Sequence, residues 1–336
     1  MSADLNALPS SVRALAEADF THAGQCFADA GFSVRLPVPG ILQVRAPTRS
    51  SRRQRLLLSV GVHGDETAPI EILARLLDAL RQEPHALAVD LMAVVGNPRA
   101  IAQGTRFVDE DLNRLFHPEH SDAQDSVEAQ RAAAIMRATA DFFAGPNAEN
   151  WHLDLHTAIR ASYYPTFAVV PDTIQEARKQ ALLGWLGQAG IGATILNPLA
   201  ASTFSSYTAA GFGAASATVE LGQVGTLGGN DLSQFGKAQQ ALEALLRTGI
   251  GIGIGTAGGV MPDVFKVVTE LVKRSDAFRL SFDRGTKNFT PMAPGTVVAK
   301  DGETVYRVGP ETQYVVFPNP DVRIGLRAGL MVVRTG

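Results

Sequence analysis

Cysteine is almost absent from this 336-residue chain, which contains a single thiol at Cys26. One thiol cannot form an internal disulfide, so the disulfide-stapled secreted scaffolds are excluded as a class. The amino-terminal region carries Asp4, Glu17 and Asp19 where a signal peptide would be apolar, and no apolar run approaches the roughly 20 residues of a membrane helix. These absences predict a cytoplasmic protein with no membrane partner.

An excess of positive charge is also lacking. Lys and Arg number 30 against 33 Asp and Glu, for a net charge of -3. Nucleic-acid-binding domains present a basic patch, whereas the one dense group here, Arg52, Arg53 and Arg55, is short and typical of a solvated turn. No nucleic-acid partner is therefore predicted. Hydrophobic residues make up 46% of the chain, which is enough for a large buried core.

Short apolar segments alternate with segments of helical periodicity over most of the chain. Ile70, Leu73, Leu77 and Leu80 recur three and four residues apart, as on the buried face of a helix. Asp125-Ser-Val-Glu128 resembles a capping box that opens a helix ending at residue 143. Strands are predicted at 33–36, 41–46, 56–60, 89–95, 151–156, 166–170 and 216–221, and further helices at 1–31, 173–189 and 231–248. This alternation indicates an α/β fold with a mostly parallel sheet covered by helices.

The pattern changes near residue 257. From residue 264 onward β-branched and polar residues alternate, turn signals occur at Asp301-Gly302 and Phe317-Pro-Asn-Pro320, and no strong helix is predicted. We therefore predict an α/β domain over residues 1–256 and a smaller β-rich domain over residues 257–336.

Potential metal ligands stand at the ends of three predicted strands. His63 and Glu66 follow the strand at 56–60, and His156 and Glu220 each close an apolar strand. Ligands of open α/β sheets gather beyond the carboxyl ends of the strands, so these side chains are expected to meet. Two histidines and one glutamate are a standard catalytic zinc set. The pattern predicts His63, Glu66 and His156 as ligands of one zinc ion.

Other polar residues near these strand ends suggest supporting roles. Glu220 is the candidate general base, and Asp154 lies two residues before His156, where it can accept a hydrogen bond from a ligand imidazole. His152 is interpreted as a structural partner of Asp154, and His117-Pro-Glu-His120 as surface. Spacing alone leaves alternatives open, because His156 could be a core histidine and Glu220 a surface carboxylate.

Three arginines indicate the charge of the substrate. Arg99 follows another strand end, Arg114 ends the motif Asp111-Leu-Asn-Arg114, and Arg160 lies four residues past His156. Arginine binds carboxylates in bidentate fashion, and beside a metal it can stabilise an oxyanion. Each arginine alone could be a solvated surface residue. Together they predict a small anionic substrate with more than one carboxylate.

The motifs, in this order, resemble those of the succinylglutamate desuccinylase/aspartoacylase family. They are Gly61-Val-His-Gly-Asp-Glu-Thr-Ala-Pro-Ile-Glu-Ile72, Asn97-Pro-Arg-Ala100, Asp111-Leu-Asn-Arg114, Asp154-Leu-His-Thr-Ala-Ile-Arg160 and Val219-Glu-Leu-Gly222. Phe317-Pro-Asn-Pro320 and Gly325-Leu-Arg-Ala-Gly-Leu330 are similar to the desuccinylase branch. Aspartoacylases usually have Asp-Leu-His-Asn-Thr-Thr and an arginine upstream of the catalytic glutamate, yet residues 203–217 contain none. Asp65 departs from the asparagine that the family often has there.

The resemblance implies a zinc-carboxypeptidase-like catalytic domain followed by a C-terminal β domain. It also implies hydrolysis of N-succinyl-L-glutamate, a tricarboxylate, to succinate and L-glutamate in the succinyltransferase route of arginine catabolism. An aspartoacylase-like or other N-acyl-amino-acid hydrolase is the alternative, and a non-catalytic member that binds a metal or metabolite is a further one. A homo-oligomer is compatible with all three.

The resemblance also implies roles for individual residues. By motif position, His63, Glu66 and His156 would bind zinc and Glu220 would act as general base. Arg99 would polarise the scissile carbonyl, and Asn113 and Arg114 would bind a substrate carboxylate. Arg160 is a hypothetical clamp for a second carboxylate.

Overall fold

The structure is a computed structural model that describes residues 5–46, 53–120, 125–146, 148–251 and 260–335. The predicted boundary between residues 256 and 257 lies outside the described residues, as do Arg52 and the side chain of His120. None of the described helices is long and apolar enough to cross a membrane.

Eight α-helices and fifteen strands are present in the described residues. The helices are α1 (Ser10–Ala16), α2 (Thr21–Asp29), α3 (Ala68–Gln82), α4 (Pro98–Gln103), α5 (Val127–Phe143), α6 (Glu176–Gln188), α7 (Phe204–Phe212) and α8 (Gly236–Thr248). The strands up to α8 are β1 (Ser33–Arg35), β2 (Ile41–Arg45), β3 (Arg53–Val60), β4 (Asp90–Val95), β5 (Ala148–Ala158), β6 (Thr166–Pro171), β7 (Ala193–Asn197) and β8 (Ala215–Gln223). Those that follow are β9 (Asp263–Val272), β10 (Arg279–Leu280), β11 (Thr290–Met292), β12 (Val297–Asp301), β13 (Thr304–Arg307), β14 (Gln313–Val316) and β15 (Arg327–Arg334).

Twelve of these strands form one sheet in the order β1-β2-β4-β3-β5-β8-β6-β7-β9-β15-β14-β11. The strands β4, β3, β5 and β8 are parallel to one another, and so are β6, β7 and β9, while β6 is antiparallel to β8. Antiparallel strands complete both edges. The predicted α/β fold with a mostly parallel central sheet is confirmed.

The middle of the sheet is covered on both faces. In β3, Leu56 and Leu58 belong to one apolar cluster, together with residues of α1, α3 and α8. Leu57 points the other way, into a cluster with residues of α5 and α7. Successive side chains of a strand alternate between faces, so a continuous apolar run is what a doubly covered strand requires.

The start of α5 differs from the predicted capping box. Ser126, rather than Asp125, caps the helix, and its Oγ accepts the backbone N–H of Ala129. Glu128 does not complete the box. Its buried carboxylate instead accepts the backbone N–H groups of residues 108–110. Glu128, in the first turn of α5, thereby holds the loop that leads to Asp111-Leu-Asn-Arg114.

The C-terminal part is β-rich, as predicted, and contains no α-helix among the described residues after α8. It is continuous with the central sheet, because β9 pairs in parallel with β7 and in antiparallel with β15. A second sheet of three strands, β10-β12-β13, lies outside it. The pairing of β9 with β7 brings the C-terminal part beside the carboxyl ends of the parallel strands.

Candidate active site

His63, Glu66 and His156 meet beyond the carboxyl end of β3. His63 Nδ1 lies 2.8 Å from Glu66 Oε1, and His156 Nδ1 lies 2.8 Å from Glu66 Oε2. All three side chains are buried, and one possible ligand atom from each lies within 4.8 Å of the others. The structure therefore brings together the three residues predicted as metal ligands.

The loop after β3 is shaped by a close backbone approach. A Cβ on Gly64 would lie 2.2 Å from the carbonyl carbon of Ala100, so only glycine fits between His63 and Glu66. The backbone N–H of Thr157 in β5 donates to Glu66 Oε2 at 3.0 Å. Glu66 is thus held between the loop and the strand that carries His156.

The second nitrogen of each histidine faces another carboxylate. His156 Nε2 lies 2.9 Å from Asp154 Oδ2, and His63 Nε2 lies 2.9 Å from Asp111 Oδ1. An ionised carboxylate only accepts, so we assign a proton to Nε2 of both rings. Asp154 lies where the strand spacing predicts. Asp111 was missed in this role, because no local pattern relates it to a histidine 48 residues away.

The electrostatics of the three side chains fit a metal ion. With both Nε2 protons directed at carboxylates, the two Nδ1 atoms face the oxygens of Glu66, and acceptors at 2.8 Å need a shared cation or proton. Burial by itself lowers the pKa of His63 and His156, but the surrounding carboxylates outweigh it and raise both. Burial likewise raises the pKa of Glu66, yet the two imidazoles hold it well below its usual value. A buried group of two nitrogens and a carboxylate with such attraction for positive charge suits a divalent metal.

Glu220 lies beside these residues, since its Cα pairs with that of His156 across β8 and β5. Its side chain is buried, and Oε2 has no hydrogen-bond partner among the described residues. Burial, with a smaller contribution from the negative charge of Glu66, raises the pKa of Glu220 to about 7. A carboxyl group that titrates near neutrality can both take and give a proton.

A buried polar chain supports the site from behind. Ser59 Oγ donates to Asp154 Oδ1 at 2.6 Å and lies 2.8 Å from His152 Nε2. The other nitrogen of His152 lies 2.8 Å from Thr208 Oγ1. Burial lowers the pKa of His152 to about 4, so its ring is neutral. These contacts agree with the interpretation of His152 as a structural partner of Asp154.

The arginine next to the metal site is not Arg99. Arg99 is exposed near the start of α4, where Ala100 and Ile101 occupy the buried face, and it does not line the cavity. Arg106 is there instead, with Nη1 donating to Glu66 Oε1 at 2.8 Å and Nη2 lying 3.0 Å from His63 Nε2. The choice of Arg99 is therefore corrected. Arg99 was favoured because it follows the end of β4. The turn that ends α4, however, brings the chain back toward the metal ligands, so that Arg106 reaches them.

Asn113, Arg114 and Arg160, the residues predicted to bind the substrate, all line the cavity. Asn113 is buried, and its Oδ1 accepts the backbone N–H of Phe204 at 2.9 Å. Arg114 Nη1 donates to the carbonyl oxygen of Asn113 at 2.8 Å. Arg160 Nε donates to the carbonyl oxygen of Pro318 at 2.9 Å, which ties the end of β5 to the C-terminal part.

The cavity around these residues has a volume of about 690 Å³. This is within the range of small-molecule sites, roughly 300–1,000 Å³. Its wall comes from both parts of the chain, and the C-terminal part contributes Asn288, Phe317–Asn319, Asp321–Ile324 and Arg327. The cavity is therefore large enough for a small molecule and carries several positive side chains.

Comparisons with known proteins agree with this site. A family model described as the succinylglutamate desuccinylase/aspartoacylase catalytic domain matches residues 52–246, and one described as the AstE/AspA barrel-sandwich hybrid domain matches residues 261–335. The succinylglutamate desuccinylase of Burkholderia thailandensis is 43% identical over 94% of this chain and 89% of its own length. The one from Burkholderia pseudomallei strain K96243 is 42% identical over 93% and 89%. A crystal structure of succinylglutamate desuccinylase from Vibrio cholerae is similar with a TM-score of 0.81 at 32% identity, over 91% of this chain and 88% of that one.

Proposed function

The chain belongs to the succinylglutamate desuccinylase/aspartoacylase family, and we propose that it hydrolyses N-succinyl-L-glutamate to succinate and L-glutamate with one zinc ion. The observation that carries this proposal is the buried carboxylate of Glu220 beside the His63–Glu66–His156 cluster. Its Oε2 has no hydrogen-bond partner among the described residues. A protein that only stored a metal would have no use for such a base. The names of relatives that align with nearly the whole chain support the choice of acyl group and amino acid, and thus a role in arginine catabolism.

His63, Glu66 and His156 would hold the zinc ion, and Asp111 and Asp154 would orient the two imidazoles. When bound, zinc lowers the pKa of a water molecule and polarises the carbonyl group under attack. Hydrogen bonds to these two carboxylates raise the basicity of the imidazoles and fix the orientation of their rings.

Glu220 transfers the proton in this proposal. It takes a proton from the attacking water at Oε2 and later gives it to the nitrogen of the departing glutamate. A pKa of about 7 suits both steps, because neither the protonated nor the ionised form is strongly favoured near neutral pH.

Arg106 takes the role that the motif position assigned to Arg99. Its charged hydrogen bond to Glu66 Oε1 holds the guanidinium beside the ligands. Negative charge develops on the carbonyl oxygen during attack, and a preoriented guanidinium stabilises it. Asn113 and Arg114 would bind one substrate carboxylate, and Arg160 would contribute positive charge to the cavity.

The test is a panel of substrates offered to the zinc-loaded protein, with release of the free amino acid as the readout. The panel contains N-succinyl-L-glutamate, N-acetyl-L-glutamate, N-succinyl-L-aspartate and N-acetyl-L-aspartate. We expect kcat/KM to be highest for N-succinyl-L-glutamate. The margin should be about 100-fold or more over the two N-acetyl substrates, because a site built for a polar group rejects analogues that lack it, and about 10- to 200-fold over N-succinyl-L-aspartate, which lacks one methylene. A higher value for N-acetyl-L-aspartate would replace this proposal with the aspartoacylase reaction. The Glu220→Gln variant, purified in the same way, controls for contaminating hydrolases.

A further inference from the structure

The C-terminal part supplies the cavity with a hydrogen-bond donor that no described residue of the protein accepts. Asn288, just before β11, is 0% exposed and lines the cavity. Its Oδ1 accepts the backbone N–H of Phe317 at 2.8 Å, which orients the amide with its NH₂ group free. Asn288 Nδ2 has no hydrogen-bond partner in the part of the chain that the structure describes. A fully buried donor without a partner calls for an explanation, and a ligand in the cavity would provide one.

Arg327, the first residue of β15, brings a positive charge to the same cavity. Its guanidinium carbon lies 6.0 Å from the centre of the Phe317 ring, and its Nη1 lies 3.9 Å from Glu270 Oε1. Burial, and then the charge of Arg114, lower the pKa of Arg327 to about 10, which still leaves it charged at neutral pH. Arg114 and Arg327 come from different parts of the chain and both line the cavity, so each can present a guanidinium group to a carboxylate there.

Phe317 links Asn288 to Arg327 in an unusual backbone conformation. Its φ is +54°, and that of Phe289, which follows Asn288, is +64°. Bulky residues rarely occupy this left-handed region, and such residues cluster at ligand sites. Hydrogen bonds hold both, from Phe317 N–H to Asn288 Oδ1 and from Phe289 N–H to the carbonyl oxygen of Val315.

We propose that Asn288 and Arg327 form a subsite that binds one carboxylate of the substrate. Asn288 Nδ2 donates a hydrogen bond, and Arg327 supplies the charge and further donors. Asn113 and Arg114 form a second pair of the same composition in the catalytic part. The identity of the substrate rests on the proposed function. N-succinyl-L-glutamate carries three carboxylates, and one asparagine–arginine pair would bind only one of them.

The test compares Arg327→Met and Arg327→Lys with the wild type. Each is assayed on N-succinyl-L-glutamate and on three analogues that each lack one carboxylate: N-butyryl-L-glutamate, N-succinyl-L-glutamine and N-succinyl-4-aminobutyrate. For Arg327→Met we expect KM for N-succinyl-L-glutamate to rise about 10- to 100-fold with little change in kcat, because a distant carboxylate is bound equally before and during the reaction. One analogue, the one without the bound carboxylate, should have the same KM in both proteins. Arg327→Lys should restore part of the affinity.

Asn288→Asp and Arg307→Met complete the set. Asn288→Asp retains the size of the side chain and the contact to the Phe317 N–H but presents negative charge to the carboxylate, so KM should rise at least as much. Arg307 is exposed on β13, outside the cavity, and its replacement should leave KM unchanged. An unchanged KM in Arg327→Met, or an equal change for all four substrates, would overturn the subsite.

Calorimetry separates failure of the subsite from failure of the proposed function. Succinate and L-glutamate are titrated into the zinc-loaded wild type and Arg327→Met, which requires no turnover. Weaker binding of one of the two to Arg327→Met supports the subsite even if the wild type proves to hydrolyse another N-acyl amino acid. Equal affinities of both ligands in the two proteins would overturn the subsite, whatever the substrate panel shows.

Discussion

The Asp154→Asn substitution tests whether the carboxylates behind the histidines control metal affinity. Asp154 is 0% exposed, and its two oxygens accept hydrogen bonds from His156 Nε2 and Ser59 Oγ. Asparagine has the same size but offers one oxygen and one NH₂ group. If the oxygen stays with Ser59, the NH₂ group faces His156 Nε2 and drives the ring proton to Nδ1, where it blocks the lone pair that a metal needs.

The alternative orientation of the introduced amide is also costly. With its oxygen toward His156, its NH₂ group would face Ser59 Oγ, whose proton would have to turn toward His152. The neutral ring of His152 would then have to move its own proton to the nitrogen near Thr208. Hydrogen bonds to charged groups contribute about 1.5–3 kcal/mol, and about 1.4 kcal/mol is a tenfold change. We therefore expect zinc to bind about 10- to 100-fold more weakly.

Asp111→Asn is the matched comparison, because Asp111 holds His63 in the same way but its side chain is 17% exposed. Water can replace part of the lost interaction there, so the loss of affinity should be smaller, about 10-fold or less. The assay is competition for zinc against a chelating dye at constant pH, with urea unfolding of the metal-free proteins as the folding control. Wild-type affinity in Asp154→Asn, or a larger loss in Asp111→Asn, would refute the argument.

Three further outcomes are expected. Glu220→Gln should retain its zinc and lose about 10²- to 10⁴-fold in kcat, and near wild-type turnover would remove Glu220 as the base. Arg106→Met should lower kcat by about 10²- to 10³-fold. Arg99→Met alters an exposed side chain and should change kcat less than about twofold. The reverse result would return the role of stabilising the carbonyl oxygen to Arg99. Removal of the metal with a chelator should abolish hydrolysis and lower Tm, because a ligand at 1,000 times its Kd stabilises the folded state by about 4 kcal/mol. A Tm that does not respond to zinc would contradict the assigned ligands.

The residues that the sequence revealed lie close together in the chain or at the ends of recognisable strands. His63 and Glu66 are three residues apart after an apolar strand, and Asp154 shares a strand face with His156. The relation between Asp154 and His156 depends on the two-residue period of a strand, and that between His63 and Glu66 on their short separation in the loop after β3. The parallel strands could be predicted from their apolar runs for the same reason, because a doubly covered strand leaves no place for polar alternation.

The long-range contacts were decided by the tertiary structure alone. Arg106, and not Arg99, lies beside Glu66 because of the direction in which the chain leaves α4. Asp111 reaches His63 because Glu128 anchors the preceding loop. Arg327 reaches the cavity because β9 joins the sheet beside β7. Sequence by itself predicted the fold class from the hydrophobic pattern. It predicted the candidate metal ligands and the candidate base from their positions at strand ends together with the family resemblance. Which arginines meet the substrate depends on packing between distant segments, which no local spacing records.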